Sequence, residues 1–194
     1  MNEVGCQRAI QKLIQDYASV LTHGHCHGGT YREIKEVTLS VLTPPREYYH
    51  IKVQVQNVRE ASEISPGNQA KPIRKPVYDC MVHVVDPALP SNMEGEEQYE
   101  LAHIYFRSMC DGIAAMIPGA YWHSGGAYAS YFSSLPICIA DPESDSKFSL
   151  VRGRQNDRGV RIQNMDHTWA DPTNDVWTPI HYTQITFTLE EQLV

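Results

Sequence analysis

Hydrophobic residues recur every three or four positions in two parts of the chain, and this spacing predicts two amphipathic helices. The stripe of the first helix, predicted over residues 5–22, comprises Ile10, Leu13, Ile14, Tyr17, Ala18 and Leu21. The stripe of the second, predicted over residues 94–117, comprises Tyr99, Ala102, Phe106, Met109, Ile113 and Met116. We expect a glycine-rich stretch to end the first helix and Pro118-Gly119 to end the second.

Apolar and polar residues alternate elsewhere, as is typical of strands with one buried face. The alternating segments are 36–42, 50–56 and 182–189. A short turn separates the first two, which favours an antiparallel hairpin. The run 77–85 is apolar on both faces except at Asp79 and His83, and this predicts a central strand covered by the two helices.

The remaining segments predict connections and one more hairpin. Proline, glycine and charged residues break the pattern over 57–76, and residues 120–146 are rich in small residues, so both are predicted to be extended loops. Residues 148–154 and 160–165 flank a turn-like Asn-Asp-Arg-Gly sequence and predict a hairpin.

The predicted order is helix, two strands, loop, strand, helix and then several strands. Helices and strands do not alternate regularly, which favours an α+β fold over a doubly wound parallel sheet. We therefore expect a mixed, largely antiparallel sheet packed by an N-terminal helix and a long central helix. At 194 residues with 42% hydrophobic content, residues 1–194 are expected to form a single domain.

Composition narrows the functional classes. A formal charge of -7 argues against a general nucleic-acid binder, because affinity for phosphate comes largely from clustered Lys and Arg. No apolar run approaches the roughly 20 residues that cross a bilayer, and no secretory signal is evident, so no membrane role is expected. The five cysteines are odd in number and scattered, which favours reduced thiols in a cytosol.

The densest metal-ligating motif is His23-Gly24-His25-Cys26-His27. In an extended segment His23, His25 and His27 could project together and offer nitrogen ligands to zinc or copper. The neighbouring glycines supply little rigidity, and an ordinary helix exit explains the motif better. We predict no metal site and no cofactor.

A catalytic group can also be assembled from the sequence, but without a diagnostic motif. Asp166, His167 and His181 could combine with Ser133, Ser134 or one of the cysteines as acid, base and nucleophile. The chain has no GxSxG elbow, HExxH helix, phosphate-binding loop or dinucleotide-binding GxGxxG. The prediction is a protein without enzymatic activity.

Two groups of residues are candidates for contacts between subunits. Aromatic side chains crowd a segment of small residues, as expected for contact anchors, although they could equally fill a satellite core. These residues are Tyr121, Trp122, Tyr128, Tyr131 and Phe132. Arginines in the second predicted hairpin could pair across a subunit interface or contact phosphate. These residues are Arg152, Arg154, Arg158 and Arg161.

In the order of its elements the chain resembles the tail-terminator (tail-completion) proteins of long-tailed bacteriophages. The likeness covers the helix at 5–22, the three strand segments between 36 and 85, the helix at 94–117 and the closing strand at 182–189. It covers about two thirds of the chain and includes no signature residue.

This resemblance implies a structural virion protein that forms a hexameric ring at the neck, the junction of head and tail. Such a ring caps the tail tube, joins it to the head-side connector or head-closure protein, and contacts DNA only in passage. It is assembled in the host cytoplasm. Two alternatives remain open: another phage neck or baseplate component, and a metal-dependent enzyme that uses His23, His25 and His27.

Overall fold

The computed structural model describes residues 2–18, 21, 34–39, 49–63, 73–86, 96–117, 138–151, 159–171 and 176–192. Two helices lie in these ranges, α1 at Glu3–Asp16 and α2 at Glu96–Met116. The strands are β1 Ile34–Thr38, β2 Tyr49–Glu63, β3 Ile73–Asp86, β4 Ile139–Ala140, β5 Lys147–Leu150, β6 Arg161–Asp171 and β7 Val176–Gln192. Neither helix is long and apolar enough to cross a membrane.

Asn2 starts α1, because its side-chain Oδ1 accepts a hydrogen bond of 2.9 Å from the Gly5 N–H. A Cβ at Gly5 would lie 2.1 Å from Asn2 Nδ2, so glycine leaves the space that this cap occupies. The helix predicted over 5–22 begins earlier than expected, at Glu3, and α1 ends at Asp16. Beyond a break at Tyr17, Ala18 and Leu21 are helical again. The Leu21 N–H donates to the Tyr17 carbonyl over 3.0 Å, and the Leu21 side chain is buried in the core.

The strands form one mixed but mostly antiparallel sheet in the order β1-β2-β3-β7-β5-β4, with β6 also paired to β7. β7 has β3 along one side, and β6 and then β5 along the other. The central position predicted for the strand at 77–85 is confirmed for β3. The expected α+β class with a largely antiparallel sheet is confirmed as well.

Both helices contribute to one core on a single face of the sheet. The register places Val53, Val82 and Ile185 in one row of this face, and Val55, Cys80 and Phe187 in the next. These residues are buried together with the apolar residues of α1 and of the second half of α2. The two helices predicted to cover β3 thus contribute to the core on this one face in the described structure. On the other face of β3, Val77, Met81 and Val85 are buried as well, and Asp79 and His83 are half-buried.

The predicted hairpin of β1 and β2 was wrong. β1 pairs with residues 49–52 of β2 in parallel. Side chains alternate with a period of two in parallel and antiparallel strands alike, so the pattern of apolar positions cannot distinguish them.

The predicted loop at 57–76 is shorter than expected. β2 continues to Glu63 and β3 begins at Ile73, and the two pair antiparallel as far as Glu63 and Ile73. β7 joins β3 only from Val77 onwards, so residues 73–76 pair with β2 alone. A two-stranded ribbon can carry polar and charged residues on both faces, which gives it the composition of a loop.

The second predicted hairpin was also wrong. β5 and β6 do not pair with each other in the described structure, and both run antiparallel to β7. Gly159, within the predicted turn, has a φ of 151°, which favours glycine. β5 and β6 thus run in the same direction along β7, and the turn-like sequence between them did not mark a hairpin.

Candidate interaction surface

The face of the sheet opposite the helices is lined by polar residues from three adjacent strands. Register places Lys52, His83 and Gln184 in one row and Gln54, Met81 and Thr186 in the next. Apart from Met81, which is buried, these side chains are half-buried. We call this surface the polar face.

A hydrogen-bonded chain crosses the middle of the polar face. His83 Nδ1 lies 2.5 Å from the Tyr182 hydroxyl, and His83 Nε2 lies 3.3 Å from Gln54 Oε1. Gln184 Nε2 donates to the same hydroxyl over 2.7 Å. The His83 and Tyr182 rings also stack, with centroids 5.9 Å apart and planes inclined by 23°.

These contacts assign a protonation state to His83. A carboxamide oxygen only accepts, so Nε2 carries the proton and donates to Gln54, while Nδ1 accepts from the Tyr182 hydroxyl. Burial, and secondarily the charge of Lys52, lower the pKa of His83 from its ordinary value of 6.5. The lowered pKa keeps the His83 ring neutral at neutral pH.

Asp79 lies near one end of this face and accepts three side-chain hydrogen bonds. Thr188 Oγ1 donates to Asp79 Oδ1 over 3.1 Å and Arg59 Nη2 over 3.3 Å, while Asn57 Nδ2 donates to Oδ2 over 3.5 Å. The Arg59 side chain is 54% exposed, so this ion pair contributes little to stability. The cluster links β2, β3 and β7 side by side.

We expect the lowered pKa of His83 to make the protein less stable in mild acid. Below about pH 6.5 the unfolded chain binds a proton that the folded chain resists, so the free energy of unfolding falls as pH falls towards the folded-state pKa. Urea unfolding of the wild type and of His83→Gln between about pH 7.5 and pH 5.5 would measure this.

The variant should show a shallower pH slope. Lys52→Gln serves as a control and should keep most of the slope, because burial is the larger cause of the lowered pKa. Equal slopes for the wild type and His83→Gln would contradict the prediction.

A second polar cluster joins the start of α1 to the turn between β4 and β5. Arg8 Nε donates to Asp141 Oδ1 over 2.9 Å and Arg8 Nη2 donates to Oδ2 over 2.8 Å, a two-pronged pair. Ser144 Oγ donates to the same carboxylate over 2.6 Å, and Asn2 Nδ2 over 3.3 Å. We call this cluster the α1 anchor.

Electrostatics within the α1 anchor favour the charged forms of Arg8 and Asp141. The Arg8 guanidinium, helped by Ser144, the Glu143 N–H and Asn2, holds the pKa of Asp141 well below its usual range, although burial acts in the opposite direction. The Asp141 side chain has no exposed surface. The pair therefore holds α1 against the turn between β4 and β5, and the two opposite charges neutralise each other.

Tyr78 connects the α1 anchor to β7. Its hydroxyl accepts from the Asn2 N–H over 2.7 Å and donates to Glu191 Oε2 over 2.6 Å. Burial and this bond to Glu191 raise the pKa of Tyr78 above its ordinary value, so it stays protonated. Ser146 Oγ also donates a hydrogen bond to Glu191, over 2.8 Å to Oε1.

Most residues proposed from the sequence lie outside the described part of the chain. These are His23, His25, His27, Tyr121, Trp122, Tyr128, Tyr131, Phe132, Ser133, Ser134, Arg152, Arg154 and Arg158. Arg161 is described, and it lies exposed on β6 opposite Thr186 of β7. Among the described residues, no three His, Cys, Asp or Glu side chains form a group that could hold a metal ion.

Strand register also locates two residues of the catalytic group that the sequence allowed. Asp166 and His181 are direct partners on β6 and β7, and His167 follows Asp166. The serines considered with them lie outside the described residues.

Part of the polar face could be predicted from the sequence. The alternation of apolar and polar residues placed Tyr182, Gln184, Thr186 and Thr188 on the opposite side of the last strand from its apolar residues.

Comparison with models of known protein families gives no match. A search among curated proteins gives no significant match either. The amide, hydroxyl and imidazole groups at the middle of the polar face form hydrogen bonds with one another.

Proposed function

We propose that this chain is a structural virion protein of a long-tailed bacteriophage, a tail terminator that forms a ring at the neck. In this role the ring caps the tail tube and joins it to the head-side connector or head-closure protein. Copies of the chain are its first partners, and a hexamer is the expected ring. Assembly takes place in the host cytoplasm, and the protein then remains in the virion.

One observation carries the proposal: among the described strands, the sheet has two different open sides, the outer side of β2 and the outer side of β6. β1 pairs with β2 only as far as Lys52, and beyond that point no described strand pairs with the outer side of β2. On the opposite side, no described strand pairs with the outer side of β6 along Arg161–Asp171. Open strand sides present unpaired N–H and C=O groups that can accept another strand.

Unlike open sides favour head-to-tail association. When one surface of a subunit binds a different surface of the next, the contacts form a ring if the rotation closes. A self-matched edge would instead give a two-fold dimer. The formal charge of -7 supports a ring through which DNA passes without being held, because phosphate is repelled by an acidic protein.

The first test is the mass of the purified protein together with negative-stain imaging. The expected result is a closed ring with about six times the 22.0 kDa mass of one chain. The same measurement is repeated with isolated tail tubes, since some neck rings form only on their partner. A strictly monomeric protein, alone and with tail tubes, would contradict the proposal.

Gln56 provides a sharper test of the β2 side. It lies at a bulge, where Val55 pairs with Cys80 and Asn57 with Asp79, so Gln56 has no partner residue in β3. Proline is tolerated at bulges but cannot donate a hydrogen bond to an added strand. Gln56→Pro should therefore keep the fold and reduce ring formation.

Gln56→Ala is the matched control, because it removes the same side chain but keeps the backbone N–H. It should form rings like the wild type. Thermal unfolding of both variants verifies the fold. A folded Gln56→Pro protein that forms rings normally would exclude this side of β2 from the contact.

A further inference from the structure

Two cysteines that are far apart in the sequence meet in the core. Cys6 of α1 and Cys80 of β3 are separated by 74 positions, and their sulfur atoms lie 3.7 Å apart. Cys6 is 0% exposed and Cys80 is 2% exposed. A thiol pair at this separation needs only a small movement to reach the bond length of about 2 Å in a disulfide.

Both sulfur atoms are carried by well-fixed backbone. Cys80 pairs with Val55 on one side and with Phe187 on the other, so it lies in the middle of the sheet. Cys6 lies between Asn2 and Arg8, the two α1 residues that the α1 anchor holds in place. The approach of the two sulfurs therefore follows from the docking of α1.

We propose that Cys6 and Cys80 are a modification site, a thiol pair that closes to a disulfide when the protein meets a low-molecular-weight disulfide such as oxidised glutathione. One cysteine thiolate attacks glutathione disulfide and releases one reduced glutathione. The second cysteine then attacks the mixed disulfide and releases the other. Two cysteine thiols are oxidised and one glutathione disulfide is reduced to two thiols, so atoms and electrons balance.

The environment sets the conditions for this reaction. Contact with the Cys80 sulfur, and burial, raise the pKa of the Cys6 thiol far above its ordinary value, so little thiolate forms in the closed structure. Reaction therefore proceeds when α1 briefly leaves the sheet. Once closed, the bond ties α1 to β3 and restricts the unfolded chain over a long loop, which stabilises the fold. This inference is independent of ring assembly.

The test uses the full, reduced wild-type chain in glutathione buffers of increasing oxidised fraction, without denaturant. After acid quenching, denaturation and alkylation, two of the five cysteines should be protected in an intact monomer. Peptide mapping should identify a Cys6–Cys80 link. The melting temperature of the oxidised protein should be roughly 5–10 °C above that of the reduced protein.

Two cysteine variants test which residues form the disulfide. Cys110→Ala, at another buried cysteine of the same core, should keep the link, whereas Cys80→Ala should lose it. The wild-type mapping decides the question even if a variant folds poorly. Five alkylated cysteines at every glutathione ratio, stable glutathione adducts without closure, or a link between other cysteines would each overturn the proposal.

Discussion

Phe148→Ala is expected to lower the free energy of unfolding by about 4 kcal/mol, as is typical when a buried aromatic residue is cut back in a core. Phe148 has no exposed surface. Its ring meets that of Tyr78 edge to face, with centroids 5.5 Å apart and planes at 84°. The side chain comes from β5, which spans only Lys147–Leu150, so few other residues of that strand can replace the lost contacts.

Urea unfolding followed by fluorescence or circular dichroism would measure this loss. Phe148→Leu is the matched variant, since it keeps most of the apolar volume and should cost only about 1 kcal/mol. If alanine costs as little as leucine, the packing of the Phe148 side chain contributes little to stability.

Asp141→Ala is expected to lower the free energy of unfolding by about 2 kcal/mol, because it removes several hydrogen bonds to a carboxylate that has no exposed surface. The change removes both bonds from Arg8 to Asp141 and leaves Arg8 only its ion pair with the exposed Glu143. It also leaves Asn2 and Ser144 without a common acceptor. Because Arg8 and Asn2 lie at the start of α1, this helix should lose protection first. Amide hydrogen exchange along Glu3–Asp16 would detect it.

Asp145→Ala is the matched control, because Asp145 is an exposed carboxylate in the same turn. It should change stability by less than about 0.5 kcal/mol. The pKa of Asp141 is lowered in the fold, so its contribution is present above the unfolded value of about 4 and is lost as pH falls below it. Wild type and Asp141→Ala should therefore converge in strong acid. A constant difference at all pH values would contradict the assigned role of the charge.

Hydrophobic periodicity predicted the positions of the helices and strands better than it predicted which strands pair with each other. The alternation of Ile185, Phe187 and Leu189 with polar neighbours is confirmed by β7, where these three residues are buried. In α2 the predicted stripe is buried at Phe106, Met109, Ile113 and Met116. Such patterns report which face is covered, and they carry no information on which strand lies alongside.

The contacts that make up the polar face and the α1 anchor depend on strand order, and for that reason they were missed. Asp79 and His83 were recognisable as polar positions in an apolar strand, but Tyr182 joins His83 only because β7 pairs with β3. Likewise, the sequence does not indicate which of the five scattered cysteines lie close together. Cys6 and Cys80 meet only because α1 packs on the sheet. One local feature of the sequence could have predicted part of the α1 anchor: Asn2, a residue typical of helix N-caps, is followed by the acidic Glu3 in the first turn.

The place of β7 in the sheet has a consequence for biosynthesis. β7 follows β3, β5 and β6 in the chain, yet it is the strand that pairs with all three. During translation, these earlier strands are synthesised before residues 176–192. Until β7 is present, the side of each strand that pairs with β7 has unpaired backbone N–H and C=O groups. β3 and β7 are far apart in the sequence, and contacts of such long sequence separation form slowly. We therefore expect nascent chains to depend on chaperones until translation has passed Gln192.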